Sequence, residues 1–136
     1  MEQYTKAVMQ HFMKPKNLGK IEKADAIGKL ENERCGDMMV VYLKIGKRKN
    51  KKTNKEEEFI KDIKFQTLGC PAAIAASDVL CELVKGKSLK EAENINETSI
   101  TKKLGGLPMI KVHCSVLGAK TLKNALENYR KKQKQK

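Results

Sequence analysis

The tightest constraint on the fold of this chain is a pair of alternating apolar runs separated by a stretch with no apolar residue. Val41, Leu43 and Ile45 alternate with Tyr42 and Lys44, while Phe59, Ile63, Phe65 and Thr67 alternate with Ile60, Asp62, Lys64 and Gln66. Side chains repeat with period two only on a strand, so both runs read as strands with one buried face. Between them, Gly46 to Glu58 is nearly all Lys, Asn, Thr and Glu. It reads as a solvated hairpin excursion, and residues 44–58 together as a basic hairpin loop.

The rest of the chain is mainly helical in pattern. Tyr4, Val8 and Phe12, with Ala7 and His11, give an amphipathic helix over residues 2–12 that Pro15, Asn17 and Gly19 break. Residues 21–34 are weakly patterned, with Ile21, Ala26, Ile27 and Leu30 as strand or loop contacts. Leu68-Gly69-Cys70-Pro71 turns into a helix with proline at its first position, which runs to about Lys85 and buries Ile74, Val79, Leu80 and Leu83 until Gly86 stops it. Ser88 and Glu91 form a capping box for a short helix to Ile95, and Thr98 to Leu104 suggests another. After Leu107-Pro108 and a corner at His113-Cys114-Ser115, Val116, Ala119, Leu122, Leu126 and Tyr129 make the apolar stripe of a final helix. The order of helix, strands and then helices predicts an α+β fold: a small antiparallel sheet of about three strands with helices on one face, an N-terminal helix and a long C-terminal helix. At 136 residues this is one domain spanning 1–136.

Charge raises a functional class and then weakens it. The net charge of +13 makes nucleic acid the first partner to weigh. Yet seven cations with no acid fall within residues 44–55 (Lys44, Lys47, Arg48, Lys49, Lys51, Lys52, Lys55), and five more fall in the tail 130–136 (Arg130, Lys131, Lys132, Lys134, Lys136). Everything outside those segments carries a net +1. The six Phe and Tyr and the absence of Trp also leave few rings on which bases could stack. No apolar run approaches the roughly 20 residues that span a bilayer, and Met1-Glu2-Gln3 does not open a signal segment, so a cytoplasmic protein with no membrane partner is expected.

The four cysteines are at 35, 70, 81 and 114, and the histidines at 11 and 113. A cytosolic chain of this length does not call for disulfides, and no Cys-x-x-Cys motif is present. Cys81 sits among Leu80, Leu83 and Val84 and behaves as a small hydrophobe. Cys35, Cys70 and Cys114 instead sit at element boundaries. In Cys35-Gly36-Asp37 a thiol and a carboxylate share one side of an extended segment, with Gly36 permitting close approach. Cys70 precedes Pro71 at a helix start, where the helix dipole favours a thiolate, and His113-Cys114 is placed likewise. Cys35, Asp37, Cys70, His113 and Cys114 form a mixed set of soft and hard ligands that suits zinc, iron or an iron-sulfur cluster. A cysteine nucleophile with His113 as base is the rival reading, although immediate chain neighbours are poorly placed for that proton transfer.

Cys-Gly-Asp at 35–37, Leu-Gly-Cys-Pro-Ala-Ala-Ile-Ala-Ala-Ser at 68–77, Leu-Pro-Met-Ile-Lys-Val-His-Cys-Ser at 107–115 and the opening segment 4–19 closely resemble the IscU/NifU family of iron-sulfur cluster assembly scaffolds. The resemblance implies a scaffold and carrier rather than an enzyme. It would take sulfur from a cysteine desulfurase, iron, and an electron from a donor such as a ferredoxin, build a labile 2Fe-2S cluster and pass it to acceptor apo-proteins. It further implies Cys35, Cys70 and Cys114 as cluster ligands, with Asp37 and His113 sharing the remaining coordination. Cys114 would be the persulfide acceptor, Lys111 a compensating charge, and zinc an occupant of the apo form. Weak ligation by Asp37 would make the cluster labile, because a carboxylate is a poorer match than thiolate for iron held by sulfide.

The chain departs from the family pattern in three places. Met109 replaces the second proline of the segment through which some members engage a dedicated chaperone, which puts that partnership in doubt. The hairpin loop is longer and more basic than the family pattern, and the further cluster-binding domains of long NifU proteins are expected to be missing. Monomer and homodimer both stay open. Two other classes compete: a basic nucleic-acid-binding module with a structural zinc, and a sulfur transferase in which Cys114 alone carries persulfide.

Overall fold

The computed structural model describes residues 4–32, 36–106 and 113–134. Its elements are α1 (Lys6–Met13), β1 (Ala26–Asn32), β2 (Asp37–Lys49), β3 (Glu56–Leu68), α2 (Pro71–Val84), α3 (Leu89–Glu93), α4 (Glu97–Lys103) and α5 (His113–Lys134). The strands form one antiparallel sheet in the order β1-β2-β3. This is the expected α+β arrangement.

The alternation in β2 puts Met39, Val41 and Leu43 into the core, where Val41 pairs with Phe65 and Leu43 with Ile63. Helices α2 and α5 cover that face, α2 against β3 and α5 against β1 and β2, while α1 lies on α2. The opposite face keeps Ile27 and Leu68 exposed. Residues 17–19 close the outer edge of β3: Phe65 donates to the Asn17 carbonyl at 2.9 Å, and Gly19 donates to the Phe65 carbonyl at 2.8 Å. Further along the same edge, Ile60 donates to the Lys87 carbonyl at 2.9 Å, so the strand offers little free backbone to another chain.

Four details differ from the sequence expectations. First, the basic excursion is mostly strand: β2 runs to Lys49 and β3 begins at Glu56, leaving a turn of residues 50–55. Pairing of Lys47 with Glu58, Arg48 with Glu57 and Lys49 with Glu56 supports the ladder by opposite charge, a signal that apolar periodicity cannot carry. Second, the register shifts after Lys44, whose partner is Asp62 while Ile45 pairs with Ile60. The extra residue, Lys61, resets the alternation, so Ile60 rather than Phe59 enters the core beside Ile63. Phe59 instead stacks under the Arg48 guanidinium, 4.5 Å from ring centroid to Cζ.

Third, α5 continues through Lys134, so most of the basic tail is helix, and Arg130 pairs with Glu93. Fourth, the weakly patterned stretch contains β1. Gly28 there faces α5 so closely that a Cβ would lie 2.5 Å from the Thr121 carbonyl oxygen, which explains a strand without a bulky apolar residue at its centre. The first helix begins at Lys6, capped by Thr5, whose Oγ1 accepts from the Val8 amide at 3.1 Å. Helices α2, α3 and α4 fall where expected, including the Ser88–Glu91 capping box, although alanines dominate the buried face of α2 and Ile74 and Leu83 are half-buried.

Candidate metal centre

Three elements meet at one end of the sheet. Gly36 has a positive φ of 72°, which glycine adopts without strain, and from that turn Asp37 enters β2. Met38 pairs with Leu68, so Asp37 lies beside the Gly69-Cys70 turn that leads from β3 into α2. Cys70 is the N-cap of α2 and makes no side-chain capping hydrogen bond, while Cys114 lies in the first turn of α5. Two helix N-termini therefore converge on the site with their positive ends.

Cys70 Sγ and Cys114 Sγ are 4.0 Å apart, and Cys114 Sγ is 3.9 Å from Asp37 Oδ2. These separations have a direct chemical reading. Zinc–sulfur bonds of about 2.3 Å at a tetrahedral angle hold two thiolates about 3.8 Å apart, whereas a disulfide brings them to about 2.05 Å. The trio is thus spaced to share one tetrahedral metal ion, or one iron of a cluster, with little movement. Asp37 and Cys114 are buried and Cys70 is half-buried. The greater burial of Cys114 follows from its helix face: Gly118, one turn on, packs toward Leu80, Ile100 and Met39. Thiol exchange requires access to the attacking sulfur, which half-buried Cys70 offers in this state and buried Cys114 does not.

Of the residues singled out in the sequence, the fold brings Asp37, Cys70 and Cys114 together. His113 opens α5 next to Cys114 in the chain. Cys35, Met109 and Lys111 lie outside the described residues. Cys81 is buried in α2 with its thiol pushed strongly up by burial and then by Asp78, so it stays a core residue and not a ligand.

Sequence reasoning missed two features. Gly69 has no side chain because Asp37 occupies the space: a Cβ there would lie 2.9 Å from Asp37 Oδ1 and 2.8 Å from Ala73 Cβ. The second is a cluster of His11, Asp78 and Glu82 between α1 and α2. An aspartate inside the run from Pro71 to Leu80, apolar but for it and Ser77, was the available signal.

The fold and the trio define a class: small α+β domains that gather two cysteines and an aspartate where two helices begin. Residues 3–136 match the NifU-like N terminal domain, and the chain belongs to that family. An Archaeoglobus fulgidus protein named iron-sulfur cluster assembly scaffold protein IscU 1 is 45% identical over 129 residues, covering 95% of this chain and 78% of that protein. A Rickettsia prowazekii iron-sulfur cluster assembly scaffold protein IscU is 36% identical over 136 residues, covering 98% of this chain and 96% of that protein. Among solved structures, the N-terminal part of a nitrogen-fixing NifU-like protein from Brucella abortus gives a TM-score of 0.66 over 94% of each chain; at 16% identity that likeness speaks for the fold alone.

Proposed function

We propose that this protein is a scaffold on which a labile 2Fe-2S cluster is assembled and from which it is handed to acceptor apo-proteins. The observation that carries this reading is the Asp37, Cys70 and Cys114 trio, with its 4.0 and 3.9 Å spacings at two helix N-termini. Cys35 supplies the third thiolate and His113 shares the remaining coordination. A cysteine desulfurase delivers sulfur: Cys114, buried in this structure, is uncovered as the desulfurase docks, its thiolate attacks the terminal sulfur of the desulfurase persulfide, one S–S bond breaks as another forms, and the donor leaves as thiolate. An electron donor such as a ferredoxin completes the inputs, and Lys111 offsets the negative charge of the thiolates.

Two cysteines and an aspartate also suit zinc, which occupies the same ligands when no cluster is present. The carboxylate is the weak point of the set, so Asp37 favours release over storage. Supporting the reading are family membership, relatives named as scaffolds over most of this chain, and a ligand set unlike the four thiolates of a storage cluster. Among the described residues no helix is long and apolar enough to cross a membrane, and the cytoplasm is the proposed setting.

The test is anaerobic incubation of the apo protein with iron, cysteine and a desulfurase, followed by visible absorption. A cluster chromophore is expected for the native chain and is lost or strongly weakened by Cys35→Ser, Cys70→Ser or Cys114→Ser. Asp37→Ala is expected to retain the chromophore but transfer its cluster several-fold more slowly to an acceptor. Absence of the chromophore from the native chain, or indifference to all three serine variants, overturns the scaffold reading; unaltered or faster transfer from Asp37→Ala removes the role assigned to that carboxylate.

A further inference from the structure

About two turns along α2 from Cys70, α1 and α2 hold a second group of side chains able to ligate a metal. Asp78 is buried, its side chain only 1% exposed, in the middle of α2. Its Oδ1 accepts from the Asn17 amide at 2.9 Å and from Asn17 Nδ2 at 3.0 Å, and its Oδ2 lies 2.7 Å from His11 Nδ1. Both carboxylate oxygens are therefore used to fix neighbours. In the tautomer that donates Nδ1–H to Asp78, Nε2 is the ring nitrogen left to act as a ligand. That atom faces Glu82 Oε2 at 3.9 Å, too far for a hydrogen bond. At that separation the two groups attract as an ion pair when the imidazole is charged, and when it is neutral a ring nitrogen and a carboxylate oxygen stand close enough to ligate one ion between them. Glu82 stands one turn beyond Asp78 on the same face of α2, and all three residues line a hollow of about 630 Å³.

We propose that His11 Nε2 and the Glu82 carboxylate form a second site for a divalent first-row metal ion, with Asp78 as the positioning residue that orients the imidazole. A carboxylate that accepts from the distal ring nitrogen fixes the tautomer and raises the basicity of a ligating histidine. Metal–nitrogen bonds of about 2.0–2.1 Å and metal–oxygen bonds of about 2.0–2.2 Å at a tetrahedral angle place the donor atoms about 3.4 Å apart, so closure needs a shift of about half an ångström. Glu82, with its side chain 32% exposed, can make that shift. Water completes the coordination sphere. Imidazole with carboxylate selects zinc, ferrous iron or manganese over the softest metals, in contrast to the thiolates at Cys70 and Cys114.

Lys6, Lys14 and Lys16 border the same hollow and oppose a free cation, so this site is expected to bind more weakly than the cysteine site. Occupancy would tie α1 to α2 by coordination in addition to the His11–Asp78 hydrogen bond.

The test uses the full chain with Cys35→Ser, Cys70→Ser and Cys114→Ser combined, which silences the thiolate site, and zinc chloride alone as the probe. Isothermal titration calorimetry is expected to show one zinc ion bound through the second site, with a zinc-dependent rise in melting temperature. Adding E82Q, a substitution of a partly exposed side chain, weakens binding at least tenfold and removes the thermal shift; adding H11A does the same where circular dichroism shows the fold intact. X-ray absorption of the bound zinc is expected to show only nitrogen and oxygen donors. No zinc binding in the triple-serine chain, or binding that E82Q leaves unchanged, overturns the proposal.

Discussion

At the scale of single residues, the candidate centre depends on what is absent from Gly69 as much as on the ligands themselves. A Cβ at that position would meet Asp37 Oδ1 at 2.9 Å and the Ala73 methyl at 2.8 Å, and Ala73 cannot yield because it is buried in the first turn of α2. Gly69→Ala is therefore expected to destabilise the fold by about 1–3 kcal/mol, the range for overpacking, and to push the Asp37 carboxylate out of line with Cys114. Chemical denaturation measures the first effect and zinc titration of the apo protein the second. Gly118→Ala is the contrasting case: its Cβ would find only ordinary contacts at 3.7–3.9 Å inside α5. Replacing glycine by alanine in a helix interior gains about 1 kcal/mol, so this variant is expected to be more stable than the native chain. Equal effects from the two substitutions would show that spacing beside Asp37 is not what keeps Gly69 a glycine.

At the scale of elements, the β2–β3 ribbon shows how charge can extend a hairpin beyond its apolar pattern. Glu57 accepts from Arg48 Nε at 3.1 Å and from Asn50 Nδ2 at 3.1 Å, and these bonds, Asn50's the larger, hold its carboxyl below the ordinary glutamate range. A carboxyl depressed on folding contributes stability that is complete above its unfolded value and lost as pH falls through its folded value. Glu57→Gln is thus expected to lower the melting temperature at neutral pH, with the gap to the native chain closing as the solution is acidified below about pH 4. The pair is only half-buried, so added salt should narrow the same gap. A gap independent of pH would show that the charge of Glu57 is not what stabilises the ribbon.

The ribbon also marks the limit of what the sequence reveals. Val41, Leu43, Ile63 and Phe65 announced the strands because their side chains meet the core with period two. Lys47 to Lys49 and Glu56 to Glu58 did not, since their pairing appears only once the register is known. β1 was obscure for a related reason: Gly28 is selected by the approach of α5, a long-range contact with no local trace. The cysteine-aspartate centre was legible because Gly, Pro and Cys cluster at the very turns that build it. The His11–Asp78–Glu82 group joins residues 67 and more positions apart and became visible only with the packing of α1 on α2.

At the scale of the whole molecule, the charge and the chemistry occupy opposite ends. Helix α5 starts at the centre with His113 and Cys114 and runs 22 residues to Lys134, about 33 Å at the rise of an α-helix. The ribbon leads the same way: Asp37 lies at the centre, and β2 extends 13 residues, about 40 Å, before the turn that carries Lys51 and Lys52. The two basic segments meet there, since Tyr129 contacts Glu58 and a shared hollow is lined by Lys47, Tyr129 and Gln133. Three of the ribbon's cations face glutamates across the ladder, so the net charge is less concentrated at that end than the spacing of lysines suggests.

At physiological ionic strength the Debye length is about 8 Å, and exposed charges 25 Å or more away are screened from the centre. Removing residues 131–136 is accordingly expected to leave the rate of cluster assembly from iron and inorganic sulfide unchanged within about twofold, measured by the growth of visible absorption. Lys131→Gln with Lys132→Gln should behave the same way while keeping the helix. A fall in that chemical rate would mean that the far end of α5 reaches the centre through the fold. A fall confined to assembly driven by a desulfurase would instead identify the basic end as a surface the desulfurase reads.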